Sequence, residues 1–86
     1  MKVFPEIRIN SKEAAHRQIT SQLRGLITGG ILKPGTRLPG IRELAKEIGS
    51  NYFTVQEALT PLVREGLIER KPKLGTVVLR NSPQLT

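Results

Sequence analysis

Arg70, Lys71 and Lys73 place three cations within four residues, the densest basic cluster of the chain. Ammonium and guanidinium groups so crowded attract phosphate oxygens. Arg42, Tyr52 and Gln56 carry a different capability. A guanidinium fork fits guanine O6 and N7 or two phosphate oxygens, a carboxamide fits adenine N6 and N7, and a phenol can bond a phosphate while its ring touches a thymine methyl. The inventory for covalent chemistry is poor by comparison. His16 is the single histidine, Asp and Cys are absent, and all seven acids are Glu. His16 therefore has no Cys, Asp or second His to work with, and no phosphate loop of the G-x-x-x-x-G-K-S/T kind appears. Disulfide, zinc–thiolate and thiol-redox chemistry are excluded with the cysteines. No catalytic residue, metal or cofactor is expected.

The charge balance agrees with binding rather than turnover. Fourteen Lys and Arg stand against seven acids in 86 residues, a formal net charge of +7 at pH 7. Such an excess draws polyanions through its long-range potential and makes nucleic acid the leading partner, a merely solubilising basic surface being the plain alternative. The length suits one small domain with one core. Apolar runs such as Val77 to Leu79 are far below the ~20 residues of a membrane span, and no signal-peptide core opens the chain. A soluble, cytoplasmic protein with no membrane partner is expected.

The elements that must position these side chains follow from periodicity and punctuation. Residues 1–10 alternate apolar positions around Pro5 and read as an extended arm. A helix is predicted to open at Asn10 or Ser11, with Asn10 as N-cap and Glu13 at N3, close to a capping box. Ala15, Ile19, Leu23, Leu26 and Ile27 form its apolar stripe up to Gly29-Gly30, leaving Lys12, Arg17 and Arg24 on the polar side. A Pro34-Gly35 turn then leads to a short strand near Thr36 to Leu38. A second helix from about Gly40 to Ile48 buries Ile41, Leu44, Ala45 and Ile48 and stops at Gly49. Asn51 caps a third helix whose Val55, Ala58, Leu59, Leu62 and Val63 are predicted to face inward up to Gly66. Pro61 within it predicts a kink or an early last turn. Leu67 to Lys71 and Thr76 to Leu79 flank a turn and read as a β-hairpin. Residues 81–86 form a polar tail.

Helix, short strand, helix, helix, hairpin is the winged helix-turn-helix plan: mainly α, with three helices and a two- or three-stranded antiparallel sheet forming a small β-hairpin wing. The residues also match a named pattern. Leu32 to Ala45 with its Pro-Gly turn, Leu38-Pro39 and Arg42-Glu43-Leu44-Ala45, then Thr54-Val55, Glu65-Gly66-Leu67 and Gly75-Thr76, resembles the DNA-binding domain of the GntR family of bacterial transcriptional regulators. The likeness spans about residues 12–79. It implies a sequence-specific operator-reading domain of a regulator, with repression as the expected effect, acting as a homodimer on inverted-repeat double-stranded DNA. The third helix would lie in the major groove, and the wing on the minor groove or backbone.

Site roles follow from that resemblance together with helix geometry. Arg42 matches the arginine of the family's Leu-Pro-Ser-x-Arg element and is expected to read a guanine or hold a phosphate. Gln56 stands where relatives commonly carry a second arginine, and its amide favours adenine. Tyr52 replaces a further arginine of the family's Ser-Arg-x-Thr-Val run. Base readout is thus expected from Arg42, Tyr52 and Gln56, with Phe53 and Thr60 as further groove contacts. Phosphate contacts are expected from Asn51, Thr54, Arg70, Lys71, Lys73, Gly75 and Thr76. Relatives have a Gly-x-Gly-Thr wing tip, and Lys73 takes the place of the first glycine. The domain is expected over 11–80, with 1–10 as arm and 81–86 as tail or start of a linker to an effector-binding domain absent from this chain. A different class of function is also open: a winged helix that docks an acidic protein, anchored by Tyr52 and Phe53, with no sequence-specific DNA binding.

Overall fold

The helical stripes form in the structure, a computed structural model that describes residues 7–10, 13–71 and 75–79. The elements are α1 (Ala15–Thr28), β1 (Arg37–Leu38), α2 (Ile41–Ile48), α3 (Tyr52–Arg64), β2 (Ile68–Lys71) and β3 (Gly75–Val78). Lys12, the hairpin tip at 72–74 and the tail from 80 onward lie outside the described residues. The three strands make one antiparallel sheet in the order β1-β3-β2. α3 packs against α1, α2 and β2, so the core closes around it. Ile19, Leu23 and Ile27 from α1, Leu44 from α2, Val55, Leu59 and Leu62 from α3, and Leu67, Ile68 and Val78 from the sheet region are all buried there. No helix among the described residues is long and apolar enough to cross a membrane.

The start of α1 differs from expectation. The capping box on Asn10 and Glu13 does not form, and the helix opens at Ala15 behind Ala14, which makes no side-chain cap. Gln18 takes the polar groups instead. Its Oε1 accepts from the Asn10 N–H at 2.8 Å, and its Nε2 donates to the Asn10 and Glu13 carbonyls, each at 2.8 Å. One turn later Gln22 repeats the pattern, accepting from the Arg8 N–H at 3.0 Å and donating to the Arg8 carbonyl. Two carboxamides at helical spacing thus act as a partner strand for residues 7–10, because each supplies one acceptor and a pair of donors. The extended segment is thereby held on α1 and seats Ile7 in the core.

The turn between α2 and α3 is short and fully accounted for. Gly49 adopts φ +82°, the left-handed conformation that glycine takes without steric cost. The Ala45 carbonyl then accepts from the N–H of both Gly49 and Ser50, at 2.9 and 2.8 Å. Asn51 opens α3 as predicted, its Oδ1 accepting from the Thr54 N–H at 2.9 Å. α3 continues through Pro61 to Arg64, so the early last turn expected at the proline is absent. Val63 is the other departure on this helix, being 40% exposed rather than inward. At 100° per residue it sits roughly 80° from Val55 around the helix, at the edge of the stripe that Ala58, Leu59 and Leu62 define.

Two polar contacts fix the helices to one another. The Thr20 hydroxyl, buried at the α1–α3 crossing, donates to the Ala58 carbonyl at 2.7 Å and is also 2.8 Å from the His16 carbonyl. Arg24 grips Glu65, just past α3, in a two-pronged pair: Nε to Oε1 at 2.9 Å and the terminal nitrogen to Oε2. The hydrogen bonds from Arg24 hold the Glu65 carboxyl below its ordinary range and raise Arg24 above its own.

Both members of that pair are partly exposed, which limits its worth to about 1 kcal/mol or less. Because the folded carboxyl titrates lower than the unfolded one, this contribution is complete above the unfolded value of about 4.3 and is lost as pH falls through the folded value. Glu65→Gln should therefore lower stability modestly in urea denaturation at pH 7, with the difference shrinking at pH 3. A deficit unchanged between the two would contradict the pairing. Removing the α3 cap with Asn51→Ala should cost about 1 kcal/mol in the same measurement, and a change below a few tenths would mean that the cap does not hold the helix.

Candidate nucleic-acid interface

The inward stripe of α3 determines which residues it presents elsewhere. With Val55 taken as the inward direction, Tyr52, Val63, Gln56 and Thr60 fall at roughly 60°, 80°, 100° and 140° around the axis, one continuous face. Tyr52 and Thr60 are exposed and Gln56 half-buried. Phe53, beyond that face toward solvent, is 78% exposed. Asn51 and Thr54 stand at the start of the helix, the Asn51 oxygen and the Thr54 N–H being committed to the cap. The Asn51 side-chain N–H groups remain as donors.

The wing is positioned by strand register. Ile68 lies opposite Val78, Arg70 opposite Thr76 and Lys71 opposite Gly75. Side chains two apart share a face, so Ile68, Arg70, Thr76 and Val78 project together toward the helices. Three of the four are buried, and Arg70 emerges exposed at the end of the row. Lys71 is on the opposite face beside Glu69, its ammonium 3.7 Å from the Glu69 carboxylate. An exposed pair of this kind is weak and easily exchanged for a stronger anion.

Between α2, the start of α3 and the wing runs an open groove of about 530 Å³, lined by Gly40, Ile41, Arg42, Glu43, Tyr52, Arg70, Lys71, Gly75 and Thr76. Its side chains carry three cations, Arg42, Arg70 and Lys71, against one carboxylate, Glu43. Tyr52 and Arg42 meet directly: the guanidinium carbon lies over the phenol ring, 5.5 Å from its centroid. Farther along α3 a second hollow of about 270 Å³ is lined by Thr60, Val63, Arg64 and Arg70. Arg70 borders both.

Six of the residues expected from the sequence to act at the site, Arg42, Tyr52, Arg70, Lys71, Gly75 and Thr76, therefore share one groove. Thr76 is only 5% exposed, which leaves its hydroxyl little access to a phosphate. Thr60 belongs to the second hollow, where its hydroxyl donates to the Gln56 carbonyl at 3.2 Å. Gln56, Asn51, Phe53 and Thr54 line neither hollow, and Lys73 lies outside the described residues. Val63, Arg64 and Glu43 were not expected there. The angular position of Val63 beside Gln56 signals its place, whereas Arg64 reaches the hollow only because β2 folds back along α3. His16 is elsewhere, at the α1–α3 contact, 3.8 Å from Glu57.

Comparison with known proteins agrees with this architecture. Residues 15–78 match the family described as bacterial regulatory proteins, gntR family. The HTH-type transcriptional repressor YtrA of Bacillus subtilis is 40% identical over 77 residues, covering 90% of this chain and 59% of the repressor. This chain thus spans little more than half the length of that relative. YtrA from Sulfolobus acidocaldarius, a GntR-family transcription factor of known structure, is 44% identical with a TM-score of 0.74, over 86% of this chain and 78% of that one. The fold is also shared with AraR(DBD) in complex with operator ORX1, at a TM-score of 0.75, 22% identity and coverage of 85% of this chain and 95% of that one. Three helices, a three-stranded antiparallel wing and a family match across nearly all of both lead to one conclusion: the chain belongs to the gntR family of bacterial regulatory proteins and has the winged helix-turn-helix fold.

Proposed function

We propose that this chain reads an operator in double-stranded DNA and that its occupancy there represses transcription. α3 lies in the major groove with Arg42 and Gln56 toward base edges, Tyr52 beside Arg42, and Phe53, Thr60 and Val63 alongside as apolar or hydroxyl contacts. The adjoining backbone runs along the groove between α3 and the wing. Arg70 and Lys71 hold its phosphates, Gly75 lets it approach closely, and Asn51 and Thr54 contribute at the helix start. Lys73 is assigned to phosphate by its place in the hairpin sequence, and Arg64 joins Arg70 farther along α3. Thr76 supports the wing more than it binds.

The observation that carries this reading is the convergence of Arg42, Tyr52, Arg70 and Lys71, from three separate elements, on one positively charged groove beside the exposed face of α3. A deep enzyme pocket would instead enclose its ligand. One domain offers one half-site, so two copies related by twofold symmetry would read an inverted repeat. The repression reading draws support from the relative named a repressor.

Selection of bound sites from random duplex DNA tests the proposal. An enriched inverted repeat is expected, whereas equal recovery of all sequences would favour a protein-docking module. Affinity for the selected site should fall with salt at a log–log slope of about −4 to −9, for roughly 5 to 10 phosphates neutralised by a dimer. Arg42→Ala should lose about 1–3 kcal/mol of discrimination at one base position. Arg70→Ala should weaken all duplexes alike and flatten the salt slope by about 1. Indistinguishable behaviour of the two variants in anisotropy titrations would refute the division into readers and anchors.

A further inference from the structure

Tyr52, the first residue of α3, meets its neighbours through its ring. The Arg42 guanidinium lies 5.5 Å from the ring centroid, within the range of a cation–π attraction. Phe53 meets the same ring edge-on, with centroids 5.7 Å apart and planes at 84°, a favourable aromatic geometry. Phe53 edge-on to Tyr52, and Tyr52 beneath the guanidinium, thus form one contiguous row of contacts from α3 to α2. A long arginine side chain loses rotational freedom when it engages a base edge. If a ring holds it in the free protein, part of that loss precedes DNA binding.

We propose that Tyr52 is a positioning residue for Arg42: its ring orients the guanidinium, so that Tyr52 sets specificity at the base pair read by Arg42 rather than at one of its own. This rests on the DNA-reading function proposed above and deepens it. The phenol hydroxyl is dispensable to that role, and Phe53 steadies the ring from the side.

Anisotropy titrations of the selected operator and its single-base variants, with wild type, Arg42→Met, Tyr52→Leu, Tyr52→Phe and the Arg42→Met/Tyr52→Leu double variant, separate the possibilities. Arg42→Met is expected to abolish preference at one base pair of each half-site. Tyr52→Leu should reduce discrimination at that same pair about two- to fivefold, Tyr52→Phe should restore it, and the double variant should be no worse there than Arg42→Met alone. The inference is overturned if Tyr52→Leu acts at another base pair, if Tyr52→Phe behaves as Tyr52→Leu does, or if the Tyr52→Leu loss persists without Arg42. A wild-type domain with no sequence preference would bring down the DNA-reading function and this inference together. A discriminating wild type with Tyr52→Leu unchanged at the Arg42 base would remove the inference alone. Because the ring contacts also exist in the free protein, Tyr52→Leu should lower the melting temperature by a few degrees at most, and Tyr52→Phe should match the wild type.

Discussion

The rotation of α3 about its own axis is the constraint from which the candidate interface follows. Val55, Ala58, Leu59 and Leu62 are no more than 1% exposed, and removing each larger apolar side chain from water is worth about 1.5–3 kcal/mol. α1, α2 and β2 cover that stripe from three sides. Turning the helix by one residue, about 100°, would bury the Gln56 amide and expose an apolar row. With rotation fixed, Tyr52, Gln56, Thr60 and Val63 share the outward face. The chemistry of the interface is thus set by a packing preference in which none of the polar residues takes part.

The wing depends on a second constraint of the same kind. Burial of Ile68 and Val78 determines which face of the hairpin meets the helices, and the antiparallel register then places Arg70 on that face, directly across from buried Thr76. Gly66 in the left-handed conformation and the Leu67 N–H bonded to the Leu62 carbonyl turn the chain at the end of α3, where Arg24 of α1 pairs with Glu65, and β2 returns along the helix it leaves. Arg70 consequently borders both hollows. Across the α2–α3 turn the corresponding contact is the Arg42 guanidinium over the Tyr52 ring.

Much of this was legible from residue types and spacing. Apolar stripes, Gly49, Asn51 and the paired β runs announce the element order because each has a local cause. The start of α1 was not legible in the same way, since Asn10 and Glu13 look like a capping box until Gln18, eight residues from Asn10, bonds both of their backbones. The exposure of Val63 depends on a few tens of degrees around a helix, too fine for a pattern of apolar positions. Within the candidate interface, the nearness of Arg42 to Arg70 and Lys71 of the wing was readable from type and family likeness. The seclusion of Thr76, the pairing of Lys71 with Glu69 and the reach of Arg64 needed the strand register, which sequence alone gives only loosely. The ring beneath Arg42 likewise requires two helices to be set side by side.

Backbone amide chemical shifts followed during titration with the selected operator duplex test most directly whether the exposed face of α3 and the wing form the DNA surface. The largest changes are expected at Arg42, Tyr52, Gln56, Thr60, Arg70 and Lys71, with little at Glu13, Arg17 and Ser21 on α1 and its approach. Changes centred on that α1 region, with α3 and β2 silent, would contradict the placement.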